Sequence, residues 1–177
     1  MHEKMLIHVC CGPCVAAILD ELKRNFDLIA FYYNPNIYPL EEYEKRRDFA
    51  KKICTSKSVA FIEGNYNNDE WTAWAKDYAL EPEGGARCKK CFAFRLSATA
   101  SKAFDLGFQW IASTLTSGRN KKADLINNLG KLVADEKGLK FYEEDWKKKG
   151  RQEASQSICL QEGIYRQNYC GCIYSLS

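Results

Sequence analysis

The sequence lacks a membrane-spanning segment and a signal peptide. Its longest fully apolar runs, such as residues 15–19, are far shorter than the roughly 20 residues of a transmembrane helix. The first residues lead into a strand-length apolar run and do not supply the apolar core of a signal peptide. We therefore expect a cytoplasmic protein without a membrane partner.

Histidine, phosphate-binding motifs and net charge are also scarce. Two histidines disfavour a histidine-based metal site or a Cys–His protease pair, and His8 is interpreted as a packed strand residue. Neither GxxxxGK nor GxGxxG occurs, so a phosphate cradle is not supported. The net charge of +3 gives no strong polyanion signal, but segment 119–151 holds ten Lys and Arg against six Asp and Glu. This surplus would suit a phosphate-bearing partner, although a charged run is more often a solvated face.

What the chain does contain is ordinary for a globular protein, with cysteine as the exception. Its 177 residues, 46% of them hydrophobic, can form one domain with a sizeable core and without disulfides. Cysteine, however, occurs nine times, which is a high and odd number. Stable disulfides are rare in a reducing cytosol, so the clustered cysteines suggest metal ligands or redox chemistry.

Strand and helix patterns alternate along the chain. Strands are predicted at residues 6–9, 28–33, 59–62, 108–112 and 139–142. Helices are predicted after Pro13 and Pro39 and at residues 69–80, 92–106 and 121–137, with further helical pieces after residue 143. This alternation predicts an α/β fold, in which a mostly parallel sheet carries helices on both faces within a single domain of residues 1–177.

Five cysteines occupy positions typical of metal ligands. Cys10, Cys11 and Cys14 follow the first strand, and ligands collect at the carboxyl edge of a parallel sheet. Cys88 and Cys91 form a CxxC motif at a helix start, where the helix dipole favours thiolates. Two cysteines from each segment would complete a four-thiolate site for zinc or an iron–sulfur cluster. The adjacent pair Cys10 and Cys11 favours a cluster, because neighbouring side chains reach two irons more readily than one zinc ion.

The remaining cysteines leave alternatives open. Cys170 and Cys172 form a CxC pair, which could close a strained, reducible disulfide, ligate a second metal or have a structural role. Cys14 could be a second-site ligand or an ordinary helix residue. Cys54 and Cys159 are expected to be core or surface residues.

Taken in order, six segments form a specific pattern. They are HVCCGPC at 8–14, NPNIYP at 34–39, RCKKCF at 87–92, Arg95-Leu96, Thr114-Leu115 and YRQNYCGCIYS at 165–175. This pattern resembles the cobalamin-independent epoxyqueuosine reductases, the QueH family. The resemblance covers essentially the whole chain, and the segments together are far more specific than any one of them.

The resemblance implies a nucleotide-binding (HUP/Rossmann-like) fold and the last step of queuosine synthesis. In that step, the epoxide of epoxyqueuosine at the wobble position of a tRNA anticodon is reduced to a cyclopentene with loss of water. The enzyme would be an iron–sulfur oxidoreductase whose C-terminal tail docks on the active site. The implied ligands of its 4Fe–4S cluster are Cys10, Cys11, Cys88 and Cys91.

The resemblance also implies a redox-active pair at Cys170 and Cys172. The family also raises an additional mononuclear iron beside the cluster; its ligands are not assigned, and Cys14, Cys170 and Cys172 are the candidates near it. Deoxygenation of an epoxide needs two electrons and two protons, whereas a 4Fe–4S cluster passes one electron at a time. A second redox store or metal is therefore required, and an open-site iron could also act as a Lewis acid on the epoxide oxygen.

The electron donor is not identified by the sequence, and several groups could deliver the protons. The candidate proton donors are Tyr32, Tyr33, Asp145 and Tyr165. For the tRNA partner, the basic segment is expected to supply contacts to the RNA backbone. The residues concerned are Arg119, Lys121, Lys122, Lys147, Lys148, Lys149 and Arg151.

Two other functions remain open at this point. A tRNA sulfur transferase also combines an α/β nucleotide fold with CxxC thiols, but the missing phosphate loop weakens this interpretation. A zinc-stabilised RNA-binding module without catalysis would use the four cysteines structurally, but it would have no use for the additional CxC pair.

Overall fold

The computed structural model describes residues 2–176 and contains one five-stranded, all-parallel sheet. The strands are β1 (Glu3–Val9), β2 (Phe26–Tyr32), β3 (Ala60–Glu63), β4 (Trp110–Ser113) and β5 (Lys140–Phe141). Their order in the sheet is β3-β2-β1-β4-β5, so β1 lies in the centre and pairs with β2 and β4. The five predicted strands are confirmed, and the sheet is wholly rather than mostly parallel.

Helices connect the strands. They are α1 (Gly12–Val15), α2 (Leu19–Lys23), α3 (Leu40–Ser56), α4 (Asn68–Ala75), α5 (Ala86–Asp105), α6 (Ala123–Asp135) and α7 (Arg151–Glu162). Short 3₁₀ turns follow at Lys76–Tyr78, Leu115–Ser117 and Ile173–Ser175. In the described part of the chain, no helix is both long and apolar enough to cross a membrane.

Both faces of the sheet are covered by helices, as the alternating pattern predicts. Successive side chains of β1 point to opposite faces: Met5, Ile7 and Val9 join a core with residues of α1, α2, α3 and α7. Leu6 joins a second core with residues of α5 and α6. A strand buried on both faces reads as a continuous apolar run, which is the pattern of β1 in the sequence.

Several helix boundaries differ from the expected ones, including the end of α4 at Ala75, which the sequence pattern places near residue 80. The helix after Pro13 is divided into α1 and α2, since a tighter hydrogen bond from the amide of Ile18 to the carbonyl of Val15 lies between them. Helix α5 begins at Ala86 rather than at residue 92. A carboxylate oxygen of Glu81 accepts from the amide of Ala86 at 3.1 Å, which caps the helix at this earlier point. The CxxC motif therefore lies inside the first two turns of α5.

Helix α7 is tied to the body of the protein by a buried arginine. Arg151 donates to both carboxylate oxygens of Glu21, at 3.0 and 2.7 Å, and to Glu144 at 3.1 Å. Its guanidinium lies 4.6 Å from the ring centroid of Trp146. Glu144 also pairs with Lys149 at 2.9 Å. Burial raises the pKa of the Glu144 carboxyl, but these hydrogen bonds outweigh that effect and lower the pKa to about 2.

The lowered pKa predicts how stability depends on pH. Because the folded pKa lies below the ordinary value of about 4.3, ionised Glu144 stabilises the fold above that value, and this stabilisation is lost as pH falls towards 2. We expect Glu144→Gln to reduce the free energy of unfolding at pH 7 by about 1–3 kcal/mol. The difference from wild type should shrink as pH falls below about 4.5, measured by urea unfolding at several pH values.

Glu143→Gln is the matched control. Glu143 is half-exposed and pairs with an equally exposed Lys131 at 3.2 Å, so its loss should change stability by less than about 0.5 kcal/mol at any pH. Equal stability of the two variants at pH 7 would contradict the role given to Glu144.

Candidate functional site

The candidate site lies at the carboxyl edge of the sheet, around the end of the central strand. Cys10 follows β1, Asn34 follows β2 and Thr114 follows β4, so parallel pairing brings their loops together. The side-chain amide of Asn34 donates to the carbonyl of Val9 at 2.9 Å, and the backbone N–H of Cys10 donates to Thr114 Oγ1 at 3.1 Å. This is the switch point between β1 and β4, where open α/β sheets bind their ligands.

The loop after β1 holds three sulfur atoms close together. The sulfurs of Cys10, Cys11 and Cys14 all lie within 4.8 Å of one another. Cys11 and Cys14 are joined by a disulfide, while Cys10 is a free thiol whose sulfur accepts from Thr114 Oγ1 at 3.2 Å. Cys10 and Cys11 are buried and Cys14 is partly exposed.

Helix α5 presents two further thiols towards this loop. Cys88 belongs to the same buried cluster as Cys10 and Cys11, and its sulfur accepts from the amide of Gly84 at 3.2 Å. Cys91, one turn further on, packs instead with Trp71. Burial raises the pKa of both thiols of the CxxC motif, and nearby arginines partly oppose it.

The C-terminal CxC motif lies against the same helix. Cys172 is buried and packs with Cys91, while Cys170 is partly exposed. A small cavity is lined by Cys88, Cys91, Cys170 and Cys172 together. Cys170 and Cys172 are both free thiols, so the disulfide in this structure is the Cys11–Cys14 pair and not one within the CxC motif.

The structure thus brings all seven candidate cysteines to one region at the carboxyl edge of the sheet. The compact three-sulfur group contains Cys14, and in the described residues it does not include the cysteines of α5. The four-cysteine ligand set therefore stays a prediction. Cys54 and Cys159, by contrast, are buried in the large core and take no part in the site.

Two buried arginines of α5 are the main feature of the site to which the sequence patterns assign no role. Arg95 on α5 is 2% exposed, and it donates to the Asn34 side chain at 2.7 Å with a weak contact of 4.0 Å to the Cys91 sulfur. Arg87 donates to three backbone carbonyls at 2.7 to 3.2 Å. The Nε atoms of both are buried without a hydrogen-bond partner, and neither forms an ion pair within residues 2–176. The signal in the sequence is an arginine at a core-facing position of a helix.

A cavity of about 740 Å³ opens beside these cysteines. Cys10, Cys14 and Cys170 lie on its wall. Much of the rest is polar or cationic, including Arg119, Asn120, Lys121, Arg166, Gln167 and Asn168. Such a cavity can hold a polar ligand of nucleotide size against the thiols.

The basic segment is only partly available to a partner. Arg119, Lys121 and Arg151 line the cavity, and Lys122, Lys148 and Lys149 are exposed. Arg151, however, is buried between Glu21 and Glu144, as described above. Lys147 donates to two backbone carbonyls at 2.8 and 2.9 Å and pairs with Asp145 at 3.0 Å. Both side chains are thus largely occupied by partners within the protein, and the expectation that they contact a phosphate backbone stays a prediction.

The four candidate proton donors do not line the large cavity within the described chain. Tyr32 is buried and donates to the carbonyl of Tyr43 at 3.0 Å, and Tyr33 stacks on Phe31. Burial raises the pKa of Asp145, but the contacts with Lys147 outweigh it and the net effect lowers the pKa, so this group is a carboxylate at neutral pH. Tyr165 donates to Glu42 at 3.1 Å.

Comparison with known proteins finds one family that matches nearly the whole chain. A family model described as epoxyqueuosine reductase QueH matches residues 5–177. The epoxyqueuosine reductase QueH of Thermotoga maritima is 38% identical over 175 residues, which cover 97% of this chain and 90% of the relative. That of Streptococcus pyogenes serotype M1 is 37% identical over 181 residues, covering 99% of this chain and 71% of the relative.

Among solved structures, a similar fold is found in the U34-tRNA thiolase NcsA from Methanococcus maripaludis with its 4Fe–4S cluster. The TM-score is 0.60 at 15% identity, and the match covers 100% of this chain but 63% of the thiolase, which is under two thirds of its length. This likeness confirms a Rossmann-like α/β fold.

Proposed function

The chain belongs to the epoxyqueuosine reductase QueH family, and we infer from this membership that it reduces the epoxide of epoxyqueuosine in tRNA to the alkene of queuosine. Two electrons and two protons enter, both carbon–oxygen bonds of the epoxide break, and the oxygen leaves as water. The observation that carries this function in the structure is the convergence of three cysteine segments: the loop after β1 and the CxC segment line the large polar cavity, and the CxC segment and α5 line the small cavity. The family also disfavours a sulfur transferase or a non-catalytic zinc module.

We further propose that the cysteine site holds a 4Fe–4S cluster. The donor chemistry fits: free, buried thiols lie beside Arg87 and Arg95, two buried cations whose Nε atoms lack partners. A buried positive charge is costly unless an anion pairs with it, and a cluster ligated by four thiolates carries net negative charge. The residues that would hold it are Cys10, Cys11, Cys88 and Cys91. When bound, the cluster supplies electrons one at a time.

The thiol of Cys11 must be free before it can act as a ligand. In this structure its sulfur is bonded to that of Cys14, and an external reductant such as a dithiol must supply the two electrons and two protons that convert the disulfide to two thiols. Released Cys14 lies on the wall of the large cavity, as does Cys170. We propose these two thiols, with Cys172, as the surroundings of an additional iron.

The polar residues of the cavity bind the substrate in this proposal. Anticodon bases are recognised unstacked, by hydrogen bonds to their edges and by cations that contact the backbone. Gln167 and Asn168 offer amide groups of the first kind, and Arg119, Lys121 and Arg166 offer charges of the second. These side chains would place the modified base against Cys10, Cys14 and Cys170.

Removal of a single ligand should abolish cluster binding. We expect Cys88→Ala and Cys91→Ala to lower iron content and visible absorbance and to stop the reduction of epoxyqueuosine, because each leaves the four-thiolate set incomplete. Cys10→Ala and Cys11→Ala should behave alike. Iron analysis and absorption spectra of anaerobically purified protein provide the measurement.

Cys159→Ala is the matched control for these variants. Cys159 is also buried but lies on α7 and faces the large core, so its loss should cost some stability and leave iron content unchanged. A Cys88→Ala or Cys91→Ala enzyme with wild-type iron would remove that residue from the ligand set.

The CxC pair should matter for turnover but not for the cluster. We expect Cys170→Ser and Cys172→Ser to keep the visible spectrum and the affinity for tRNA while epoxide reduction stops. The double variant should be no worse than either single one, because thiols that act as a unit are not additive. Turnover at the wild-type rate by either variant with a chemical reductant would show that the pair is not needed.

Binding of tRNA should depend on salt through the cavity charges. We expect Arg119→Gln, Lys121→Gln and Arg166→Gln together to weaken binding and to reduce the salt dependence, by a slope of roughly 0.7 per lost phosphate contact. Filter binding across a salt series measures both quantities. Lys102→Gln with Lys137→Gln, which alters α5 and the turn after α6 away from the cavity, should change neither. If the cavity variant and the Lys102/Lys137 variant lost the same affinity for tRNA, the RNA would bind on another surface.

A further inference from the structure

The backbone of the C-terminal CxC segment is held in place by hydrogen bonds, and Arg46 donates two of them. Arg46 lies on the inner side of α3, and its side chain is 3% exposed. Its Nη1 donates to the carbonyl of Cys170 at 2.9 Å, and its Nη2 donates to the carbonyl of Tyr169 at 3.2 Å. The planar guanidinium therefore binds two consecutive peptide groups, a geometry that a lysine ammonium does not reproduce.

A carboxylate fixes the orientation of this guanidinium. Glu42, one turn earlier on α3, accepts from Arg46 Nε at 2.6 Å, and its side chain is 12% exposed. The hydroxyl of Tyr165 donates to the same carboxylate at 3.1 Å. Glu42 thus pairs with the cation and attaches the C-terminal segment at a second point, five residues before Cys170.

The loop after β2 completes the attachment. The backbone N–H of Tyr38 donates to the carbonyl of Gly171 at 2.8 Å, and the hydroxyl of Tyr169 donates to the carbonyl of Tyr38 at 2.7 Å. Three consecutive carbonyls of the segment, at 169, 170 and 171, therefore have donors from α3 or this loop.

Gly171 is required by the closeness of this contact. Its φ is +124°, and a Cβ at this position would lie 2.9 Å from Arg46 Nη1 and 3.0 Å from Ile37 Cγ1. The glycine between the two cysteines therefore allows the backbone to lie directly on the guanidinium. The thiols of the motif make no part of these attachments, and Cys170 lines both the large cavity and the small cavity of Cys88 and Cys91.

We propose that Arg46 is a positioning residue for the reaction: with Glu42 and Tyr165 it fixes the backbone of the CxC segment, so that Cys170 stands between the substrate cavity and the thiols of α5. The consequence for turnover rests on the proposed function, whereas the consequence for the position of Cys170 does not. The experiment separates the two.

The test measures how fast the CxC thiols react. Trypsin cleaves after Arg166, so the peptide 167–177 reports Cys170 and Cys172 together, and the peptide 53–57 reports the buried Cys54. Reduced, anaerobically purified enzyme is pulsed with iodoacetamide, quenched, digested and analysed by mass spectrometry. We expect Arg46→Lys to raise the alkylation rate of 167–177 at least about tenfold, since two hydrogen bonds from a charged donor are lost. Protection of Cys54 should not change.

Arg47→Lys is the matched control. Arg47 is the next residue of α3, but its side chain is 24% exposed and pairs with Asp48 and Glu63 on the surface. This variant should alkylate at the wild-type rate. Tyr165→Phe, which removes one hydroxyl, should raise the alkylation rate of peptide 167–177 by a smaller factor of about three to ten. If Arg46→Lys does not fold, this variant tests whether the attachment holds the segment.

Steady-state kinetics on epoxyqueuosine-bearing tRNA test the second consequence. Arg46→Lys should lower kcat with KM for tRNA unchanged, and the visible spectrum should be that of wild type. Equal alkylation rates in Arg46→Lys and Arg47→Lys, or in Tyr165→Phe and wild type, would overturn the attachment. Faster alkylation with an unchanged kcat would overturn its role in the reaction. If wild-type protein does not reduce epoxyqueuosine, the proposed function fails, while the alkylation rates still decide whether Arg46 holds the segment.

Discussion

The parallel pairing of β1 with both of its neighbours is the constraint on which the site depends. Because β2, β1 and β4 all run in one direction, the loops that leave them meet at one edge of the sheet. Asn34 and Thr114, each just beyond a neighbouring strand, then bond to the backbone at Val9 and Cys10. An antiparallel neighbour would send its loop to the opposite edge. The start of the cysteine loop is thus held at this edge by strand pairing and by these two hydrogen bonds.

Three buried arginines show how this region differs from an ordinary core. Arg46 is neutralised by the carboxylate of Glu42, and Arg87 is satisfied largely by backbone carbonyls. Arg95 has an amide oxygen and a weak sulfur contact. Burying an unpaired charge costs several kcal/mol, so the region around α5 retains a positive potential that favours an anion. Burial alone would keep the thiols of Cys88 and Cys91 protonated, and these cations act in the opposite direction.

Sequence patterns predict the layers of this protein better than they predict its site. The apolar runs of β1 and β2 and the helical face of α3 are long and regular, so strands, helices and parallel order follow from them. The start of α5 does not follow, because Cys88, Cys91 and Arg95 replace the apolar residues that mark a helix face. The same holds for Arg46, which occupies a core-facing position between Tyr43 and Ala50. A charged residue at such a position signals a partner, but its spacing cannot identify Cys170 as that partner, 124 residues away.

Attachment through the backbone leaves the thiols of the CxC segment free for chemistry. Hydrogen bonds to carbonyls 169, 170 and 171, together with the ring of Tyr169 against Arg46, hold the segment without using either sulfur. A segment held by a disulfide or by thiol packing would lose its position whenever the sulfur changed oxidation state. Here the sulfur of Cys170 takes no part in the attachment, while that of Cys172 is buried against Cys91 and Trp71. Under the proposed function, in which Cys170 delivers electrons to the substrate, this separation of attachment from reactivity keeps the thiol at a fixed distance from its target.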